Sequence, residues 1–241
     1  WEHMRKDRYG WWVRRFGQNF RLFDLVRIDH FRGFVAYWEI ESGEKTARTG
    51  RWVECPVEDF FETLLDRFDN FPIIAEDLGV ITPDVKAVME RFGFPGMKVL
   101  LFAFGADLPT NPYAPHNHVQ GCIIYPGTHD NNTVRGWFDH GATIEEKERF
   151  SHYVGREVAP HEAHWEMIRL AWMSVSDRAI ASMQDLLGLG DEARINTPAT
   201  VEGNYRWRMS EDQMAAAPAE KLLMMTEIYG RKAWGAQPAP A

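Results

Sequence analysis

The chain has 241 residues, 45% of them apolar, so it can bury a core and is not a disordered tail. Its net charge is −8, with basic residues scattered among acidic ones, which argues against a nucleic-acid partner. No apolar run approaches a membrane span and no signal peptide is visible, so a cytoplasmic protein with no membrane partner is expected.

Residues 1–20 are expected to form one helix, with Trp11, Trp12, Phe16 and Phe20 set among basic positions at helical spacing. Residues 25–34, Leu25-Val26-Arg27-Ile28-Asp29-His30-Phe31-Arg32-Gly33-Phe34, open as a buried strand and end abruptly in charge. Strand side chains alternate faces, so Arg27 and Asp29 point the same way. An adjacent arginine favours the ionised carboxylate, the form a nucleophilic aspartate requires. The ordinary alternative is a structural Arg–Asp pair that closes a strand end. Residues 35–57 read as a long irregular connection holding Trp38, Gly43, Gly50 and Trp52. A loop of that length in a compact domain is usually functional.

An amphipathic helix is expected over 58–69, with Phe60, Phe61, Leu64, Leu65 and Phe68 inward. Residues 71–79 form a second apolar strand that ends in Glu76 and Asp77. Helix 83–92 follows, with Thr82 as its cap and Pro83 at its first position. A third strand is expected over 97–104 and a fourth over 122–125, the latter running into Pro126-Gly127-Thr128-His129-Asp130-Asn131-Asn132. Helices are expected over 144–157 and 161–176, a short fifth strand over 179–183 and the start of another helix at 184–189. A last helix covers 211–232, and 237–241 should be frayed.

Strands alternating with helices predict a parallel sheet covered by helices, with the chemistry at the C-terminal strand ends. Three of the five expected strands end in carboxylates: Asp29, Glu76 and Asp130. Two carboxylates flanking a bond, plus a third that holds the substrate, suit glycoside chemistry. The two working carboxylates must be tuned in opposite directions. Asp29 beside Arg27 suits the ionised role. Glu76, behind Ile73-Ile74-Ala75 and beside Asp77, suits the acid, because burial and neighbouring carboxylates both favour the protonated form. Asp130 lies between His129 and Asn131, a cluster able to grip sugar hydroxyls. Glu76-Asp77 can equally be a helix N-terminal acid pair, and Asp130 a loop cap. For retention of configuration the carboxyls of Asp29 and Glu76 should stand about 5 to 5.5 Å apart.

Other chemistries find less support. His116 and His118 have no acidic or cysteine partner at ligand spacing, so no metal site is expected. Gly93-Phe94-Pro95-Gly96 lacks the frame of a phosphate loop. Cys55 and Cys122 are expected as buried thiols, not a bridge. Ten tryptophans are unusual, and Trp stacks well on a sugar face.

Residues 27–34, 75–83 and 127–131 resemble the amylomaltases, the 4-alpha-glucanotransferases of the alpha-amylase clan (glycoside hydrolase family 77). Residues 95–100 and 192–196, Glu192-Ala193-Arg194-Ile195-Asn196, are also similar to that family, and the likeness runs from Trp1 to the last helix. The resemblance implies an α/β fold, a (β/α)8 TIM barrel with retaining chemistry. It implies that Asp29 is the nucleophile after the fourth strand, Glu76 the acid/base after the fifth, and Asp130 the transition-state stabiliser after the seventh. Arg27, His30 and His129 would bind the sugar, with Asn196 from the loop after the eighth strand. The substrates implied are alpha-1,4-glucans (maltodextrins, starch, glycogen), with a glucan, glucose or maltose as acceptor and no metal or organic cofactor. Family members are about twice as long. Residues 1–241 are therefore expected to be the C-terminal part of one catalytic barrel domain, about five of its β/α units. An alpha-amylase-like hydrolase and an inactive glucan-binding fragment are the alternatives.

Overall fold

The computed structural model describes residues 1–232, so the expected frayed end lies outside the described residues. The chain divides into two compact α/β units, Trp1–Met97 and the part from Lys98 onward. No helix among the described residues is long and apolar enough to cross a membrane.

The first unit is built on aromatic rings. Its opening segment is two helices where the sequence suggested one, α1 (Glu2–Lys6) and α2 (Gly10–Leu22). Arg8 and Tyr9 take left-handed φ values of 47° and 54° between them. That turn swings Tyr9 into the core, where its ring is 1% exposed and its hydroxyl donates to Asp59 at 2.5 Å. Along α2, Trp12, Phe16 and Phe20 recur every four residues and face the same cluster. Helix α3 (Val57–Leu65) adds the fully buried Phe60, Phe61 and Leu64. Offset and edge-to-face ring pairs of this kind contribute about 0.5–1.5 kcal/mol each beyond area burial.

That cluster supports two parallel strands, β1 (Val26–Ile28) and β4 (Ile73–Ala75), paired Val26 to Ile73, Arg27 to Ile74 and Ile28 to Ala75. The expected irregular connection after β1 is instead an antiparallel hairpin, β2 (Ala36–Glu39) and β3 (Arg51–Glu54). The aromatic and β-branched residues Tyr37, Trp38, Trp52 and Val53 favour strands but show no clean alternation. Helix α4 (Pro83–Phe92) falls where expected and ends on Gly93 at φ 67°. Thr82 sits at its N-cap position, but its side chain caps no helix N–H; its hydroxyl accepts from Arg32 at 2.7 Å.

Strand β5 (Gly96–Val99) crosses the boundary into the second unit, whose sheet is ordered β5-β6-β7 with β6 (Cys122–Tyr125) and β7 (Arg178–Ala179) parallel. The third strand is shorter than expected because the chain turns into a 3-10 helix at Leu100–Phe102. The fifth lies nearer the N-terminus than expected, because Ser182 caps helix α8 (Met183–Leu186). Helices α5 (Val134–Gly136), α6 (Ile144–Val154) and α7 (Ala163–Met173) belong to this unit and bury Val134, Phe150 and Met167 among others. A π-turn at Trp137–Gly141, unread in the sequence, follows α5. The expected last helix is two, α9 (Glu211–Ala215) and α10 (Ala219–Ile228), separated at Pro218.

Candidate active site

In the first unit the strand register sets the two acids side by side. Ile28 pairs with Ala75, so the next position on each strand is Asp29 on one and Glu76 on the other. Neighbouring strands lie about 4.8 Å apart, and paired residues of a parallel ladder project to the same face. Arg27 closes an ion pair with Asp29 at 2.8 Å, as their shared strand face requires. The Asp29 side chain is 78% exposed and the arginine is mostly covered, so the acid points outward from an anchored base. Arg27 Nε also faces the Met97 sulfur at 3.2 Å.

The ladder then slips by one residue, and the slip does chemical work. Glu76 N–H donates to Ile28 O at 3.0 Å, as the register demands. The next rung should take the N–H of His30, but Phe31 N–H fills it instead, at 3.1 Å from Glu76 O. His30 is thereby displaced into a left-handed conformation, φ 46°, uncommon for a residue with a side chain. Its released N–H donates to the Glu76 carboxylate at 2.7 Å. The other carboxylate oxygen accepts Leu78 N–H, also at 2.7 Å. The sequence suggested that burial and Asp77 would shape Glu76. The structure shows backbone donors on both of its oxygens and a different task for Asp77, whose carboxylate accepts Met97 N–H at 2.6 Å. Gly96 is required beside it, since a Cβ there would fall 2.5 Å from an Asp77 oxygen.

In the second unit Asp130 follows β6 through a turn. Asn131 accepts both the N–H and the hydroxyl of Thr128, at 2.8 and 2.9 Å. The Asn196 amide donates to Asp130 Oδ1 at 2.6 Å, and His129 Nε2 stands 3.5 Å from the same oxygen. Asn196 N–H also donates to His129 O at 3.1 Å. The expected sugar-binding residues are therefore grouped, Arg27 and His30 with Asp29 and Glu76 in one unit, His129 and Asn196 with Asp130 in the other.

Residues the sequence reading passed over hold these groups. Arg194 donates to Asp130 O at 3.0 Å and to Asn196 O at 2.8 Å, bracing the pair. Tyr205, at φ 57°, donates its N–H to Ile195 O and sets its ring 6.4 Å from that of His129. Asp191 accepts from Asn132 at 2.5 Å and meets His140 at 2.7 Å; the Asn132 bond foremost holds its carboxyl below the usual range. Arg194 lies in the Glu192–Asn196 stretch, two residues before Asn196. Tyr205 and Asp191 left no such signal.

His116 and His118 are occupied by contacts within the second unit. His116 meets the Tyr153 hydroxyl at 3.0 Å and His118 meets Tyr113 O at 2.9 Å. Cys55 and Cys122 form no disulfide; Cys122 is buried and Cys55 half-buried.

A family model described as 4-alpha-glucanotransferase matches residues 1–214. The chain is 44% identical over 232 residues to the 4-alpha-glucanotransferase of Clostridium butyricum, covering 96% of this chain and 47% of that protein. It is 46% identical over 234 residues to the 4-alpha-glucanotransferase of Synechocystis, covering 96% and 46%. Among solved structures it superposes on the amylomaltase from Streptococcus agalactiae in complex with acarbose, with TM-score 0.91 and 35% identity over 97% of this chain and 47% of that one. The chain thus spans about half the length of the relatives it matches.

Proposed function

From its membership of the 4-alpha-glucanotransferase family, we propose that the chain is the C-terminal part of a (β/α)8 barrel that transfers alpha-1,4-glucan segments between sugar hydroxyls. The observation that carries the proposal is the register of β1 and β4, which sets Asp29 beside Glu76 at the same end of adjacent parallel strands. Two acids at adjacent strand ends are the pair a retaining double displacement uses. Asp29 attacks the anomeric carbon, the glycosidic bond breaks, and Glu76 passes its proton to the departing 4-oxygen. Glu76 then takes the proton of an incoming 4-hydroxyl, which displaces Asp29 and restores the alpha linkage. Arg27 orients Asp29 and, with His30, contacts the sugar. Asp130, held by Asn196 and flanked by His129, is the acid assigned to sugar-hydroxyl binding and to stabilising developing positive charge.

Maltotriose tests the reaction. A transferase yields glucose and longer maltodextrins at a constant total of reducing ends. A rising total means that water is the acceptor and the protein is a hydrolase. No turnover by the full chain, with glucan binding retained, favours the inactive fragment.

A further inference from the structure

The β2–β3 hairpin leaves Asp29's strand and carries two tryptophans that the proposed reaction does not use. Trp38 and Trp52 face each other across the hairpin, ring centroids 5.6 Å apart at 69°. Trp38 is locked in place. Its indole N–H donates to Ala47 O at 3.0 Å, and it lies so close over Gly50 that a Cβ there would sit 2.6 Å from its nitrogen. Trp52 is propped on that fixed ring and on the Arg32 guanidinium, 4.5 Å from its centroid, yet stays 54% exposed. Arg32 is itself tied to Thr82. The platform therefore hangs on the loops that follow Asp29 and Glu76. Trp52 also walls a cleft of about 970 Å3 with an apolar floor at Val35 and Val88 and carboxylates of Glu58 and Asp84 along its rim.

An exposed indole that is already immobilised loses little freedom when something stacks on it. The apolar face of a pyranose matches an indole in size, and its equatorial hydroxyls suit carboxylate and guanidinium partners. We propose that Trp52 and this cleft form an accessory binding site for an alpha-1,4-glucan chain, separate from the acid pair. The choice of ligand rests on the transferase reading, whose substrate is a polymer long enough to engage a second site.

Titration calorimetry of maltoheptaose into the full chain tests this, with Asp29→Asn present throughout to stop turnover. The expected result is two classes of site, one of them weakened about tenfold or lost in Asp29→Asn/Trp52→Thr. Threonine keeps strand propensity, and an unchanged thermal midpoint shows that the hairpin is intact. Trp52→Tyr, which preserves an aromatic face, should retain most of the binding. Identical isotherms with and without Trp52→Thr overturn the accessory site and leave the transferase reading standing. Equal binding of cellohexaose overturns the assignment to an alpha-linked glucan. No binding of maltoheptaose at any site sinks both readings.

Discussion

The two units hold their carboxylates by different means. In the first, the main chain sets the positions of both acids through strand register and holds the Glu76 carboxylate with two backbone N–H groups, one freed by a one-residue slip at His30, while Asp29 has a side-chain partner on its own strand, Arg27. In the second, Asp130 is fixed by side chains that reach it from a loop more than sixty residues later, the Asn196 amide and the Arg194 guanidinium. A backbone-held acid is insensitive to most single substitutions nearby but depends wholly on its own side chain. A side-chain-held acid can be loosened one partner at a time, so graded losses should separate the two arrangements.

The largest effect is expected for Asp29→Asn and Glu76→Gln. Each should lower disproportionation roughly a thousandfold or more, because each removes a bond-forming or proton-carrying group. Circular dichroism should stay close to wild type, since the amide oxygen in Glu76→Gln still accepts one of the two backbone N–H groups and only the other loses its acceptor. Near-normal rates in either variant would end the double-displacement assignment. Next in size is Asn196→Ala, which removes a hydrogen bond to a charged group. A loss of about ten- to a hundredfold in kcat/KM is expected, with turnover persisting. Arg194→Ala should do less, since it braces carbonyls. Should Asn196→Ala prove as severe as Asp29→Asn, the contrast between the units fails.

The same contrast explains how much the sequence disclosed. Val26-Arg27-Ile28-Asp29 and Ile73-Ile74-Ala75-Glu76 are apolar strands that end in charge, so position alone announced both acids. A parallel sheet is expected from the alternation of strands and helices, but the register that pairs Ile28 with Ala75 is set in three dimensions. The partners of Asp130 come from an irregular loop with no periodicity, and only the likeness of Glu192–Asn196 to a known family singled out Asn196. The hairpin was hidden because its connection is long and irregular, not a two-residue turn. The break at Tyr9 was hidden because helix propensity says nothing about a ring that gains more by turning into the core. The slip at His30 is a three-dimensional event, visible only once the Phe31 N–H is seen on the rung that His30 should fill.

A smaller effect tests whether the second unit's bracing extends beyond Asn196. Gly136 lies under the Asn132–Asp191 contact, where an added Cβ would sit 2.1 Å from the Asp191 carboxylate. Gly136→Ala should therefore push Asp191 off Asn132 and cost about 1–3 kcal/mol by overpacking. Gly17→Ala in α2 of the first unit is the control, because its Cβ would meet only Phe68 at an ordinary 3.6 Å. Equal urea midpoints for the two variants would mean that the Asp191 contact braces nothing.

The smallest expected effect is a pH dependence that the second unit conceals from view. Burial pushes the Asp185 carboxyl from 3.8 up to about 6, against the lowering effect of the Val134 N–H and the Ser182 hydroxyl. Burial pulls His164 from 6.5 down to about 4, helped by the positive charges of Lys221, Arg135 and His161, and its Nδ1 has no hydrogen-bond partner. Between about pH 4 and 6 the folded Asp185 holds a proton that the unfolded chain has released, so its contribution falls as pH rises. Over nearly the same range the unfolded His164 is protonated and the folded one is not, so its contribution grows as pH rises. The two slopes oppose each other in the wild-type chain. Asp185→Asn should leave the rising slope and His164→Gln the falling one, each on the order of 1–2 kcal/mol across the window relative to wild type. Urea unfolding at pH 4.5 and 6.5 reads the difference. Two variants whose stabilities run parallel to wild type would mean that neither group is shifted by its burial.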